Sequence, residues 1–196
     1  MIMTTLTRKD LLSLEDYSSR RQEFKAKVIA HKKPRQISLT ENARLYFEDE
    51  MTIRYQIQEM LRIEKVFEAA GIQDELDAYN PLIPDGSNLK ATFMLEYDNV
   101  ETRKAELARL IGVEDMVWMQ VEGFDKVYAI ADEDLDRENA EKTSSVHFVR
   151  FEFTPEMVAA FKEKQQVLIG CDHLNLPVKG VKLSPESAAS LSEDFA

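Results

Sequence analysis

With 196 residues, 44% of them hydrophobic, the chain is long enough to bury a sizeable core, and residues 1–196 are expected to form a single domain. A formal charge of −11 sets it against nucleic acid and anionic membranes, both of which would repel it at long range. The first residues lack a basic stretch followed by an apolar run, no segment approaches the roughly 18 apolar residues that span a bilayer, and the lone Cys171 excludes an internal disulfide, so a cytoplasmic protein is expected.

Residues 7–10 have the form of a helix start, and 15–32 carry Tyr17, Phe24, Val28 and Ile29 at helical spacing until Pro34 ends the run. Two β-rich runs, 36–39 and 44–47, flank the polar turn Thr40-Glu41-Asn42 and predict a hairpin. The longest helix is predicted over 49–70 with Gly71 as a left-handed cap, followed by a shorter helical piece at 73–79. Residues 80–88 hold two prolines and a Pro-Asp-Gly run, which predicts a specific loop. Beyond it the pattern predicts a strand at 90–97, a helix at 100–111 and a hairpin of 115–121 with 126–130 around Glu122-Gly123-Phe124. A strand at 145–153, a helix at 156–164 behind Thr154 and Pro155, a strand at 166–172 and a helix at 185–195 capped by Ser184 complete the chain. Irregular alternation with several hairpins predicts an α+β fold, a mostly antiparallel sheet with helices packed on it.

Charge is spread unevenly. Between residues 20 and 35, seven basic residues (Arg20, Arg21, Lys25, Lys27, Lys32, Lys33 and Arg35) stand with His31 against Glu23 alone, whereas 96–141 is acidic, most densely at Asp132-Glu133-Asp134 and Asp136. Such segments attract one another within a molecule, between two copies in a homodimer, or by presenting the basic segment to an acidic protein. These basic residues and His31 are therefore candidate partner-binding positions, set against the blander reading of a solvated helix with internal pairing.

Wound at about 100° per residue, the 49–70 helix gathers Ile53, Ile57, Met60, Leu61, Ile63 and Phe67 in one arc. Measured from Ile53, Glu64 falls at about 20° and Gln56 at about 300°, inside that arc, and Glu59 flanks it at about 240°. A carboxylate so placed needs a cation such as Lys90 or Arg150, a proton, or a cavity. Either Gln56, Glu59 and Glu64 face the 80–88 loop across a polar site, with Asn80, Asn88 and Lys90 as further ligand-binding candidates, or one buried acid is satisfied internally.

Cys171 and His173 share a strand face, but zinc needs two more ligands, and neither Cys-x-x-Cys nor His-Glu-x-x-His occurs. No metal site and no cofactor are expected, and a Cys171-His173 nucleophile pair lacks an orienting acid. His147 alternates with Val149, Phe151 and Phe153 as a core-edge residue. Asp132, Asp134 and Asp136 imitate the opening of a calcium loop, but Arg137 stands where that loop requires glycine and Thr143 where it requires glutamate. The six glycines are scattered singly, so there is no phosphate loop.

Three segments carry a resemblance: His31-Lys32-Lys33, Tyr55-Gln56-Ile57-Gln58-Glu59-Met60-Leu61-Arg62-Ile63-Glu64, and Asp77-Ala78-Tyr79-Asn80-Pro81-Leu82-Ile83-Pro84-Asp85-Gly86-Ser87-Asn88. Together they resemble a bacterial family classified only as a domain of unknown function, with similarity running from Leu11-Leu12-Ser13-Leu14-Glu15 to Asp172-His173. The resemblance implies an accessory role in peroxide handling or electron transfer, because genes of that family often neighbour those of rubrerythrin-like and iron-sulfur oxidoreductase proteins. The chain itself lacks the Glu-x-x-His pairs and the cysteines of such centres, since Arg62 follows Glu59 at i+3. The expectation is an accessory or binding protein that docks to a redox partner through residues 20–35. The alternatives are a structural subunit, or an enzyme with Glu59 or Glu64 as general base and Lys90 or His31 as electrostatic partner.

Overall fold

Side-chain caps set where most of the helices begin. In the computed structural model, which describes residues 5–131 and 142–196, Ser13 accepts a hydrogen bond from the Asp16 backbone and opens α1 (Leu14–Lys32). Pro34 sits in the tight turn Lys33–Arg35 just past it, having no N–H with which to continue the helix. The expected hairpin follows as β1 (Gln36–Ser38) and β2 (Ala43–Glu48). Asp49 then opens α2 (Glu50–Glu64) through a reciprocal pair with Thr52.

This central helix is shorter than its pattern predicts. Lys65, at φ 55°, closes it in the left-handed conformation, and Gly71, the expected cap, lies inside α3 (Ala69–Tyr79). The glycine serves a close approach instead, because a Cβ at Gly71 would stand 2.7 Å from Val66 Cγ1.

The remaining elements are β3 (Asn88–Leu95), α4 (Val100–Arg109), β4 (Val117–Val121), β5 (Val127–Tyr128), β6 (Ile130–Ala131), β7 (Val146–Glu152), α5 (Pro155–Lys162), β8 (Val167–His173), β9 (Leu176–Lys182) and α6 (Pro185–Ser192). The strands form two antiparallel sheets, ordered β1-β2-β3-β7-β6 and β5-β4-β8-β9, so the fold is α+β as expected. Two features depart from the sequence pattern. The run at 126–130 divides, β5 pairing with β4 while β6 crosses to β7. Strand β9 has no signal of its own, because Pro177 and Gly180 argue against a strand; at the sheet edge both are tolerated, beside a register irregularity between Ile169 and Cys171. No helix among the described residues is long and apolar enough to cross a membrane.

The sheets share one hydrophobic core. Leu45, Phe47, Phe93 and Phe151 of the first meet Val117, Met119, Ile169 and Cys171 of the second. Phe153, Phe161 and Phe195 close one end with ring centroids 5.2–6.2 Å apart in edge-to-face contact. A separate cluster joins Ile53, Ile57 and Leu61 of α2 to Leu76, Leu6 and Ile83. Through Ile83 it anchors the loop that follows α3.

Gly170 on β8 lies against the fully buried Trp118, and a Cβ there would collide with the indole and with the Val178 carbonyl oxygen. Gly170→Ala should therefore cost about 1–3 kcal/mol, read as a lower urea midpoint. An unchanged midpoint would mean that the indole and the Val178 main chain both yield freely.

Candidate functional site

Alternation along β3 sends Leu89, Ala91, Phe93 and Leu95 into the core and Lys90, Thr92 and Met94 to the opposite face. With β2 and β7 in register beside it, Glu48, Lys90 and Arg150 form one row across three strands, and Tyr46, Thr92 and Phe148 form the next. The turn Asn80–Leu82 and the loop after it stand beside the first row, enclosing an open cleft of about 310 Å³. Leu82, Ile130 and Phe148 supply apolar wall; Glu48, Asp85, Asn88, Lys90, Arg150 and Glu152 supply polar groups.

Hydrogen bonds hold the loop against the sheet. Lys90 Nζ donates to the Pro81 carbonyl at 2.6 Å, and Asn88 Nδ2 donates to Asp85 Oδ2 at 2.9 Å and Glu152 Oε1 at 3.1 Å. Asp85 also accepts from the Ser87 N–H and hydroxyl at 2.9 and 2.8 Å, a turn that aspartate favours. Glu48 accepts from Thr92 Oγ1 at 2.9 Å and Thr52 Oγ1 at 2.6 Å, and Arg150 Nε donates to Glu152 Oε1 at 3.0 Å. Burial lowers the Lys90 pKa from its ordinary value, and the nearby Arg150 charge adds to this, while Asp85 and Glu152 oppose it.

Of the six ligand-binding candidates, Asn88 and Lys90 line this cleft and the other four do not. Asn80 is spent on a structural clamp, accepting from the Leu6 N–H and donating to the Leu6 carbonyl, both at 2.9 Å. Glu64 is exposed, and its expected inward position is overturned: α2 ends there, and the neighbouring Ile63 and Phe67 are 61% and 72% exposed. The buried face of α2 consists of Thr52, Ile53, Ile57, Gln58 and Leu61, centred about 50° round from Ile53. That rotation buries Gln58 in place of Gln56. Gln58 accepts from the Leu12 N–H at 2.6 Å and donates to the Leu12 carbonyl at 3.3 Å.

Glu59 faces α1, accepting from Tyr17 Oη at 2.6 Å, Arg21 Nε and Nη2 at 2.7 and 2.9 Å, and Arg62 Nη2 at 3.3 Å. The Arg21 bond above all, opposed by burial and helped by Tyr17 and Arg62, holds its carboxyl at a pKa of about 2. Such a carboxylate ties two helices together. It is a poor proton acceptor near neutral pH.

The basic segment divides in the same way. Arg21 is committed to Glu59, and Lys27 pairs with Glu23 at 2.6 Å on the surface. Arg35, only 1% exposed, donates to the carbonyls of Phe47, Glu48 and Ser190 at 3.1–3.2 Å and to Asp194 Oδ2 at 2.5 Å. Asp49 Oδ2 lies 3.6 Å from Arg35 and pairs with His31. Burial pushes the Asp194 carboxyl up to about 6 against the pull of Arg35. Arg20, Lys25 and Lys33 remain exposed, and Lys32 partly so.

Cys171 is buried in the shared core, where desolvation raises its thiol pKa, and the His173 ring lies 3.2 Å from the Ile111 carbonyl oxygen. His147 is buried as its strand face predicts, 3.1 Å from Thr143 Oγ1. Among the described residues no group of three or more His, Cys, Asp or Glu side chains is arranged to hold a metal ion. Asp132, Asp134, Asp136 and Arg137 lie outside the described residues.

A family model described as "Protein of unknown function (DUF3501)" matches residues 5–195. The crystal structure of a novel protein of unknown function from Burkholderia pseudomallei K96243 is similar to this one with a TM-score of 0.94 and 55% identity, covering 98% of this chain and 100% of that one. No curated protein matches the chain.

Asp194 and Glu59 make opposite contributions to stability with pH. The raised Asp194 stabilises fully below its ordinary 3.8, and that contribution is lost as pH rises through about 6. The lowered Glu59 stabilises above 4.5, and that contribution is lost as pH falls through about 2. In urea melts, Asp194→Asn should remove a decline on the order of 2 kcal/mol between about pH 4 and 6, whereas Glu59→Gln should cost about 2 kcal/mol at pH 7 and progressively less in acid. Parallel pH curves for wild type and Asp194→Asn would show that Asp194 ionises at its ordinary value.

Proposed function

The chain belongs to that family of proteins of unknown function, and we propose that it acts as a small-ligand-binding protein whose site is the cleft between the outer face of the first sheet and the loop after α3. The observation that carries the reading is the convergence of in-register side chains from β2, β3 and β7 on one concavity with an apolar wall. Groups mounted on neighbouring strands hold their spacing better than groups on loops. The volume falls at the lower end of the range in which small-molecule sites occur, roughly 300–1,000 Å³.

Leu82→Trp fills the cleft from the loop side. Compounds from a fragment library that raise the melting temperature of the wild type should lose that effect in the variant, whose own melting temperature should stay within about 3 °C. Compounds that stabilise both proteins equally bind elsewhere, and the proposal then fails.

A second reading, docking to a rubrerythrin-like or iron-sulfur redox partner, is favoured by Arg20, Lys25 and Lys33 standing exposed on a chain of net charge −11. Lys25→Glu combined with Lys33→Glu should weaken co-purification of an acidic redox protein severalfold at low salt and leave the melting temperature unchanged. Retention unaffected by both charge reversal and high salt would count against docking through this segment.

A further inference from the structure

The identity of the cleft's free hydrogen-bonding groups narrows the ligand. Both Glu48 oxygens accept from threonine hydroxyls, both Asp85 oxygens accept from Ser87 or Asn88, and Glu152 Oε1 accepts from Asn88 and Arg150. The acceptors are largely occupied. The donors are not: an ammonium carries three N–H bonds and a guanidinium five, yet Lys90 gives one hydrogen bond, to Pro81, and Arg150 gives only that from Nε, among the described residues.

These two cations are also direct cross-strand partners, Lys90 opposite Arg150 in the β3–β7 register. Like charges on directly opposed residues, whose Cβ atoms stand about 5 Å apart, are destabilising. Lys90 forms no ion pair with a carboxylate among the described residues, because Glu48, its partner on the other side, turns its oxygens to Thr52 and Thr92. A single anion set between Lys90 and Arg150 would satisfy free donors on both and relieve the repulsion. The rim limits how much negative charge fits. Glu48, Asp85 and Glu152 surround the cations, so they repel a dianion such as phosphate about twice as strongly as a monoanion. Leu82, Ile130 and Phe148 offer contact to something apolar.

We propose that the cleft binds a small monocarboxylate on a compact apolar body, its carboxylate between Lys90 Nζ and the Arg150 guanidinium and its body against Leu82, Ile130 and Phe148. This inference rests on the reading of the cleft as a ligand site.

The test is a titration of the isotope-labelled full chain, followed by amide NMR shifts, with benzoate, benzamide, benzylammonium and inorganic phosphate. Benzoate should move the amides of residues 82–90 and 148–152 saturably, and the other three should bind at least about tenfold more weakly. Lys90→Gln and the more exposed Arg150→Gln should each weaken benzoate about tenfold. The Arg150 variant keeps the test decisive if Lys90→Gln fails to fold. Equal or tighter binding of benzamide, benzylammonium or phosphate in the cleft would overturn the carboxylate assignment and keep the ligand site. Absence of cleft shifts with all four compounds would overturn both.

Discussion

A guanidinium withdrawn from water holds the ends of the main elements together. Arg35 follows directly after α1, and its planar fork reaches the last carbonyls of β2, a carbonyl of α6 and the Asp194 carboxylate. Burying such a charge costs several kcal/mol unless its donors are met, and here three carbonyls, the Ser190 hydroxyl and the Asp194 carboxylate meet them. The consequence reaches the cleft. The main chain of Glu48 is fixed by Arg35, while its side chain is fixed by Thr52, the first-turn residue of α2, and by Thr92 of the adjacent strand. One side of the proposed ligand site is thus set by a cation that never touches it.

The same division of labour runs through the other polar residues. Glu59 and Arg21 join α1 to α2, Gln58 ties α2 to the segment before α1, and Asn80 pins Leu6. Each lies in a position where polarity attracts functional interest, and each is satisfied by a structural partner. What distinguishes Lys90 is a half-buried charge whose hydrogen bond goes to a carbonyl instead of an acid. Occupied against unoccupied donors separate architecture from site here more sharply than burial does.

Much of this fold was legible along the chain. The first hairpin, the proline-rich loop, the strand around His147 and the capped helices all declare themselves through turn residues and periodicity. The errors have local causes. Lys65 ends α2 at a position usually given to glycine, and with that early end Glu64 passes from the core to solvent. Pro177 and Gly180 disguise an edge strand. Of the cleft, the sequence singles out Asn88 and Lys90, but sets them opposite polar residues of α2 that do not line it. Their partnership with Glu48, Arg150 and Glu152 depends on β2-β3-β7 register, which no single segment carries. Arg35 and Asp194 lie 159 positions apart, and nothing in their spacing links them.

The short run from Val127 to Ala131 belongs to both sheets: its first two residues pair with β4, Ala129 donates its N–H to the Val117 carbonyl, and its last two pair with β7. So brief a bridge has almost no slack. The layers are riveted to each other at this point, and sliding one past the other would break pairing on both sides of the rivet. Ile130 sits on the rivet and also forms part of the cleft wall. The dimensions of the cavity are therefore geared to the relative position of the two layers, including the one that contributes no side chain to it.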